Sequence, residues 1–137
     1  MFVDASVIVA ILTGEPDADA LADVLDAAGS PITSAIAVFE AALGVRRKRH
    51  ASVAEAQEDV LEFLRVAGVR TVSITGQEAE TALDAFARYG KGGGHPAQLN
   101  LGDCFAYAVA KNHRTALLFK GDDFNKTDIP MASASSR

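Results

Sequence analysis

The sequence predicts an α/β fold in which helices surround a parallel β-sheet. Three observations support this class. Short runs of apolar and β-branched residues suit buried strands, and longer segments carry apolar residues at helical spacing. The two kinds of segment alternate along the chain, which is typical of a parallel sheet with helical connections.

The chain begins with one predicted strand and two predicted helices. Residues 2–3 are apolar and are predicted to form a short buried strand, and residues 6–12 are predicted to form a buried helix. Gly14 and Pro16 then interrupt the chain. Residues 17–28 carry Ala, Leu and Val at helical spacing, which predicts the second helix.

The next segment contains a strand followed by two long helices. Residues 32–33 are predicted to form the second strand. The pair Thr33-Ser34 offers an N-cap for a helix that runs to about residue 50, and Ser52 offers one for a helix that runs to about residue 67.

The remaining elements are two strands, two helices and one long loop. Residues 70–74 alternate around β-branched side chains and are predicted to form the third strand, and residues 77–89 have the apolar stripe of a helix. Residues 90–98 contain four glycines and a proline and form the predicted loop. A buried helix over 102–112 and a strand over 117–119 follow.

The composition indicates one domain spanning residues 1–137, with a loose, small and polar tail over about 132–137. The single cysteine, Cys104, excludes an internal disulfide and suits the reducing cytoplasm, where we expect the protein to act. No apolar stretch approaches the roughly 20 residues that cross a bilayer. The net charge of −5 argues against a protein that coats nucleic acid, but it is compatible with a nucleic-acid enzyme whose carboxylates are concentrated in a metal site.

Five carboxylates stand where the fold does not need charge. Each lies beside or within an apolar run, where a carboxylate is costly unless a cation meets it. Some of them closely follow the first and fourth strands and so fall at the carboxyl edge of the sheet, where open parallel sheets place their sites. These residues are Asp4, Glu40, Asp103, Asp122 and Asp123.

Local pairing does not explain Glu40 or Asp103, because no Lys or Arg follows either residue at a spacing of three or four. Asp4 and Asp103 have a second interpretation as helix N-caps, whereas Glu40 lies in mid-helix and cannot be a cap. Unpaired carboxylates brought together raise one another's pKa values, and a divalent cation stabilises their ionised forms. All-oxygen ligands favour Mg²⁺ or Mn²⁺ over zinc.

Four short motifs, taken in order, resemble those of PIN-domain ribonucleases, and more narrowly those of VapC-type toxins of bacterial type II toxin–antitoxin systems. They are Val3-Asp4-Ala5-Ser6, Phe39-Glu40-Ala41, the segment 101–107 around Gly102-Asp103, and the segment 118–124 around Asp122-Asp123 with Thr127-Asp128 after it. With the length and the element order, they cover nearly the whole chain. A lone Asp-Ala-Ser carries no weight, whereas the ordered set is specific.

The resemblance implies a PIN-like three-layer α/β/α sandwich with a small, mainly parallel central sheet. It also implies an acidic quartet with Ser6 in support. Asp4 and Asp103 would bind the principal ion, and Glu40 and Asp123 would hold a second ion or act through water. The neighbouring Asp122 is the alternative to Asp123, and the sequence does not decide between them.

The implied activity is that of an endoribonuclease toxin that cleaves RNA phosphodiester bonds by metal-activated water. Its cofactor would be Mg²⁺, with Mn²⁺ able to substitute. The implied partners are the RNA substrate, a cognate antitoxin that inhibits the acidic site, and a second copy of the chain in a homodimer.

Candidate RNA-binding cations lie in two places. A basic run ends the helix that carries Glu40, and it consists of Arg46, Arg47, Lys48, Arg49 and His50. Its alternative interpretation is a solvated helix end favoured by the helix dipole. Lys91, in the glycine-rich loop with His95, is the second candidate, and this loop is equally typical of a plain connector.

Two other functional classes compete with the nuclease. Phosphatases that use an aspartate nucleophile favour Asp-x-Asp after the first strand, whereas this chain has Asp4-Ala5-Ser6. A catalytically silent module that binds a metal or a partner through the same carboxylates is the main alternative. Cys104 is better interpreted as a small buried apolar residue than as a nucleophile.

Overall fold

The computed structural model describes residues 1–132, so most of the predicted tail over 132–137 lies outside the described residues. The described chain contains a four-stranded sheet in which every strand pair is parallel, with the order β3-β2-β1-β4. The strands are β1 Phe2–Val3, β2 Ile32–Ser34, β3 Arg70–Val72 and β4 Leu117–Leu118. The parallel sheet predicted from the sequence is confirmed.

Six α-helices and one 3₁₀ turn accompany these strands within residues 1–132. The helices are α1 Ala5–Leu12, α2 Ala18–Asp26, α3 Ala35–Arg49, α4 Val53–Ala67, α5 Gly76–Tyr89 and α6 Leu101–Asn112, and the 3₁₀ turn is Phe124–Lys126. Helices α1, α3 and α4 pack against one another, while α5 packs on α6, which contacts β1, β2 and β4. The result is the expected three-layer α/β/α arrangement. No helix in the described part of the chain is long and apolar enough to cross a membrane.

Strands β3 and β4 are shorter than the sequence predicts because the strands beside them turn into helices. Strand β3 pairs with β2 up to Ser34 and Val72, and the chain enters α3 directly after Ser34. Likewise β4 pairs with β1 up to Val3 and Leu118, because Asp4 already caps α1. The abrupt change from strand to helix places the first residue after β1 at the edge of the sheet.

Side-chain caps set most helix boundaries. Ser34 accepts a hydrogen bond from the Ala37 amide at the start of α3. Ser52, Thr75 and Asn100 each open a helix through a reciprocal capping box. These local signals explain why the predicted helices agree with the observed ones to within a few residues.

Buried strand residues and helix α6 form the centre of the core. Phe2, Val3, Leu117 and Leu118 are almost completely buried, and Tyr107 is the largest side chain with essentially no exposed surface. Because these apolar residues are tightly buried, they fix the position of the polar residues that follow the strands at the carboxyl edge of the sheet.

Candidate active site

The carboxyl edge of β1 and β4 opens into a cleft of about 470 Å³. In chain order the strands first run outward from β1 to β3, and β4 then returns to the other side of β1. Such a reversal leaves a crevice at the carboxyl ends of the strands. Asp4, Glu40 and Asp103 all line this cleft, although they are far apart in the sequence.

Asp4 both caps helix α1 and faces the cleft. Its Oδ2 atom accepts hydrogen bonds from the Ser6 amide at 3.0 Å and from the Ser6 hydroxyl at 2.6 Å. Ser6 Oγ in turn accepts from the Lys120 amide at 2.9 Å, which ties the loop after β4 to the residue that follows β1. Burial raises the pKa of Asp4, and the hydrogen bonds from Ser6 oppose that rise. The N-cap interpretation of Asp4 is therefore correct, and it does not exclude a role in the cleft.

Asp103 lies in the first turn of α6. It is not the N-cap, because Asn100 has that position, and Asp103 Oδ2 accepts from the Asn100 amide at 3.0 Å as the third residue of the capping box. The pKa of Asp103 is raised to about 6, mainly by burial; the hydrogen bond from the Asn100 amide opposes the rise, and the negative charges of Asp4 and Asp123 contribute to it. The capping bond engages one carboxylate oxygen of Asp103.

Glu40 reaches the cleft from the middle of α3. Its carboxylate lies against the Cα of Gly102 on α6, so closely that a Cβ atom at Gly102 would overlap it. Burial, together with the negative charges of Asp4 and Asp103, raises the pKa of Glu40 to about 7. Glycine at position 102 is thus what allows this carboxylate to approach Asp103.

The adjacent residues Asp122 and Asp123 differ in their surroundings. Asp122 is exposed, whereas Asp123 is half-buried. The charge of Asp123 contributes to the raised pKa of Asp103. Of the pair, Asp123 is therefore the one close to the other carboxylates.

The cleft carboxylates are near one another without forming a closed ligand set. In residues 1–132, no group of three or more His, Cys, Asp or Glu side chains is gathered as a metal site would require. The carboxylates repel one another, because their charges, after burial, contribute to the raised pKa values of Glu40 and Asp103. An all-oxygen set of this kind has the donor chemistry that Mg²⁺ or Mn²⁺ prefers, and a cation would relieve the repulsion.

The basic residues predicted to bind RNA have separate locations. Arg47 and Lys48 line the cleft. Arg49 instead pairs with Asp59 at 2.9 Å and donates to the Leu12 carbonyl. The remaining candidates, Arg46, His50 and Lys91, are exposed and are not among the residues that line the cleft.

The glycine-rich loop is more ordered than a plain connector. The Lys91 amide donates to the Leu99 carbonyl at 2.8 Å, and the Leu99 amide donates to the Tyr89 carbonyl at 2.9 Å. His95 accepts from the Ala97 amide and packs edge-on against the Tyr89 ring. These contacts give His95 a structural role in closing the loop.

The lining residues that the sequence did not mark as site residues include Glu15, Lys120 and Gly121. Glu15 accepts from Lys48 and from Lys120, and the hydrogen bonds from Lys120 and Lys48 lower its pKa. One signal was available for Lys120, because it follows β4 closely at the carboxyl edge of the sheet. No comparable signal marks Glu15, which lies in the turn between α1 and α2.

Cys104 is buried, as expected for a small apolar residue. Burial raises the pKa of its thiol to about 11, and the neighbouring Asp103 adds to the rise. A thiol of this kind stays protonated at neutral pH and is a poor nucleophile.

The sequence and the fold are both similar to those of known proteins. The PIN domain family matches residues 1–130. A VapC ribonuclease of Rhizobium meliloti (strain 1021) is 45% identical, with 93% of this chain and 98% of the relative covered. Ribonuclease VapC28 of Mycobacterium tuberculosis (strain ATCC 25618 / H37Rv) is 39% identical, with 96% and 97% covered.

Solved structures resemble the chain in fold. The crystal structure of Mycobacterium tuberculosis VapC20, described as a Sarcin-Ricin loop cleaving toxin, superposes with a TM-score of 0.75 at 17% identity and covers 96% of this chain and 98% of that one. A toxin-antitoxin complex from Klebsiella pneumoniae gives a TM-score of 0.64 at 20% identity and covers 90% and 88%. The chain therefore belongs to the PIN-domain family, within its VapC group.

Proposed function

We propose that this chain is a metal-dependent endoribonuclease and the toxin of a toxin–antitoxin pair. The observation that carries the proposal is the approach of carboxylates from separate elements to one cleft: Asp4 after β1, Glu40 on α3 and Asp103 on α6, with Asp123 after β4 close enough for its charge to act on Asp103. The raised pKa values of Asp4, Glu40 and Asp103 indicate a site that is costly without a cation. Membership of a family whose relatives are named ribonucleases supports the same activity.

Some of the carboxylates would bind metal, and another would transfer a proton. Asp4 and Asp103 each have one oxygen held by a backbone amide, which fixes their orientation for the principal Mg²⁺ or Mn²⁺. When bound, such an ion acidifies water and neutralises phosphate oxygens. Asp123 would hold a second ion or a water molecule near Asp103. Ser6 keeps Asp4 oriented through its hydroxyl.

Glu40 is suited to accept the proton of the attacking water. Its pKa is about 7 without a cation, and a cation bound to the neighbouring carboxylates would lower it, so Glu40 would be ionised at neutral pH and able to accept a proton. Its carboxylate lies against Gly102, and no Lys or Arg within residues 1–132 forms an ion pair with it. Direct attack by water would leave a 5′-phosphate and a 3′-hydroxyl, whereas attack by the ribose 2′-hydroxyl would leave a 2′,3′-cyclic phosphate.

Cleavage of total bacterial RNA by the purified protein tests the proposal, with Mg²⁺, Mn²⁺ or EDTA. We expect discrete fragments that require the metal and that disappear in Asp103→Asn. The matched control is Asp26→Asn, which removes an exposed carboxylate at the end of α2 and should cleave like the unmodified protein. If the unmodified protein never cleaves although it binds Mg²⁺, the silent binding module replaces the nuclease.

The proposed protein partner is an antitoxin that inhibits the acidic cleft. A cationic Arg or Lys side chain from the partner would meet the Asp4, Glu40 and Asp103 carboxylates and compete with the metal. Inhibition that weakens as Mg²⁺ increases would support this competition.

The proposal includes a homodimer. The large apolar side chains Leu83, Phe86 and Leu101 are 50–69% exposed and line a groove between α5 and α6. Exposed apolar patches of this kind mark interaction surfaces. Light scattering at micromolar concentration should give twice the 14.3 kDa chain mass.

A further inference from the structure

A network of ion pairs lies along one rim of the acidic cleft and joins three segments of the chain. Glu15, in the turn after α1, accepts from Lys48 Nζ at the end of α3 through Oε2 at 2.6 Å. It also accepts from Lys120 Nζ, in the loop after β4, through its other oxygen, Oε1. Lys120 Nζ lies 3.1 Å from Asp17 Oδ1 as well. We call these four residues the rim network.

The two lysines are spaced as one phosphate group requires. Both ammonium groups contact the same carboxylate, one on each oxygen, so a second anion with paired oxygens could bridge them in the same way. Each ammonium has three N–H donors, and Glu15 takes one from each lysine. The side chains of Lys48 and Lys120 are 48% and 35% exposed, whereas that of Glu15 is 17% exposed, so the two lysines are more accessible to a ligand than the carboxylate that they share.

The rim network is attached to the proposed catalytic residues. The Lys120 backbone amide donates to Ser6 Oγ, and the Ser6 hydroxyl donates to Asp4. Lys48 and Lys120 line the same cleft as Asp4, Glu40 and Asp103. A phosphate bound by the two lysines would therefore lie beside the carboxylates.

Exchange of Glu15 for a phosphate is energetically feasible. The rim network is electrically balanced, with two carboxylates and two ammonium groups. Partly exposed ion pairs of this kind contribute little to stability. The lysines can therefore change partner without a large loss of stability.

We propose that Lys48 and Lys120 bind a backbone phosphate of the RNA and that Glu15 competes with that phosphate in the free protein. This inference rests on the proposed ribonuclease function. In the free protein, Glu15 holds both ammonium groups at the rim. Without Glu15, the two lysines could pair with the carboxylates of the cleft instead. RNA then takes over the donors that Glu15 holds.

The test is the affinity of the full chain for a fluorescein-labelled single-stranded RNA of mixed sequence, measured by fluorescence anisotropy over a range of salt concentrations. Ca²⁺ replaces Mg²⁺ to neutralise the carboxylates, and a gel verifies that the RNA stays intact. Lys48→Met and Lys120→Met should each weaken binding about fivefold and reduce the slope of log K against log salt by ~0.7.

Glu15→Gln tests the competition, because it keeps the shape of the side chain and removes its charge. We expect it to tighten binding about fivefold and to steepen the salt dependence. In the Lys48→Met/Lys120→Met background, the same change should alter the affinity less than about twofold, because the lysines through which it acts are gone.

Lys111→Met is the matched control, since Lys111 lies in the last turn of α6 and lines a different cleft. Lysine variants that bind RNA as Lys111→Met does would overturn the inference, as would weaker binding by Glu15→Gln. If the two lysines bind an acidic protein segment instead of RNA, the lysine variants should bind RNA as Lys111→Met does.

Cleavage of total RNA by the unmodified protein separates the two proposals. If it cleaves RNA but the lysine variants bind normally, the rim inference fails and the ribonuclease stands. If it neither binds nor cleaves RNA, the ribonuclease fails and the rim inference fails with it. Should Glu15→Gln not fold, as judged by circular dichroism, the single lysine variants still decide the question.

Discussion

Two glutamates contact opposite ends of helix α6 and have opposite surroundings. Glu40 lies against Gly102 in the first turn, and burial and the neighbouring carboxylates raise its pKa to about 7. Glu78, on α5, is only 5% exposed and accepts from Asn112 Nδ2 at 2.8 Å and from Thr75. Those hydrogen bonds, with the bond from Asn112 first, lower the pKa of Glu78 to about 2.

The two glutamates differ in role: Glu78 stabilises the fold, whereas Glu40 is suited to a catalytic role. Both residues are glutamates on helices, and both are partly or wholly removed from water. Donors surround Glu78, so its charge is favourable. Glu40 instead meets other carboxylates, so its charge is unfavourable until a cation arrives. Burial alone therefore does not identify a functional carboxylate, whereas burial without donors does.

The largest expected effect is on RNA cleavage, and it comes from two substitutions of Asp4 that distinguish its negative charge from its role as the N-cap of α1. Asp4→Asn should reduce RNA cleavage about a thousandfold while leaving the free energy of unfolding in EDTA unchanged or higher. Asparagine can still accept the Ser6 amide bond and cap α1, and it removes a repelling charge. Asp4→Ala should lose the same activity and also about 1 kcal/mol of stability, because it removes the cap. Urea unfolding provides both values, and equal stability losses in the two variants would contradict this division.

The second effect concerns the glycine that lets Glu40 approach α6. Gly102→Ala should reduce cleavage about a hundredfold, because the new methyl group displaces the Glu40 carboxylate from its position. The cost in stability should be small, since the displaced atoms are the end of a flexible side chain. Gly76→Ala is the matched control, because a Cβ atom there meets nothing within 4 Å in the first turn of α5.

Full activity in Gly102→Ala would show that Glu40 acts from another position or not at all. Loss of activity together with a loss of several kcal/mol in urea unfolding would mean that α6 itself had moved, so the stability measurement is needed to interpret the result.

The third effect tests the structural carboxylate. Glu78→Gln should lower the free energy of unfolding by about 2 kcal/mol, because it weakens charge-assisted hydrogen bonds and turns an amide N–H group toward the donors of Asn112 or Thr75. Cleavage by the folded variant should be unchanged. Glu40→Gln should behave in the reverse way, losing activity without losing stability, and Glu58→Gln, on the exposed surface of α4, should change neither. A stability loss in Glu40→Gln equal to that in Glu78→Gln would remove the distinction.

The sequence predicted the part of the site that depends on local signals. Asp4 could be placed because it directly follows a strand, and Glu40 and Asp103 because they lie among apolar residues at helical spacing. The strand and helix order could be predicted for the same reason, since apolar periodicity and caps are local. The family motif joined these positions into one set.

The rest of the site depends on contacts between distant segments. The need for glycine at position 102 arises only when α3 packs beside α6 and brings Glu40 against it. The pairing of Glu15 with Lys120 spans 105 residues and depends on the conformations of two loops. The partner of Arg49, which is Asp59 on α4, is likewise set by the packing of α3 on α4. No periodicity in a single sequence contains this information.

The smallest expected effect is the pH dependence of stability, for which the two glutamates should have opposite signs. Between about pH 4.5 and about pH 7, folded protein retains on Glu40 a proton that the unfolded chain has released, so the free energy of unfolding in EDTA falls as pH rises through this window. Glu78, with a folded pKa of about 2 against 4.5, contributes stability above pH 4.5 that is lost as pH falls toward 2.

Each glutamate can be tested in its own window. Glu40→Gln should flatten the slope of stability between pH 4.5 and 7, by about 1 kcal/mol or less, because solvent screens a half-buried carboxyl. The residual slope belongs to Asp103, whose pKa is raised to about 6, and to Asp4, whose pKa is raised by burial. Glu78→Gln should not change the slope of stability between pH 4.5 and 7, and it should change only the loss of stability below pH 4.5. Because a bound cation stabilises the ionised carboxylates, excess Mg²⁺ should flatten the upper slope of the unmodified protein, and an unchanged slope would show that Mg²⁺ does not bind at these carboxylates.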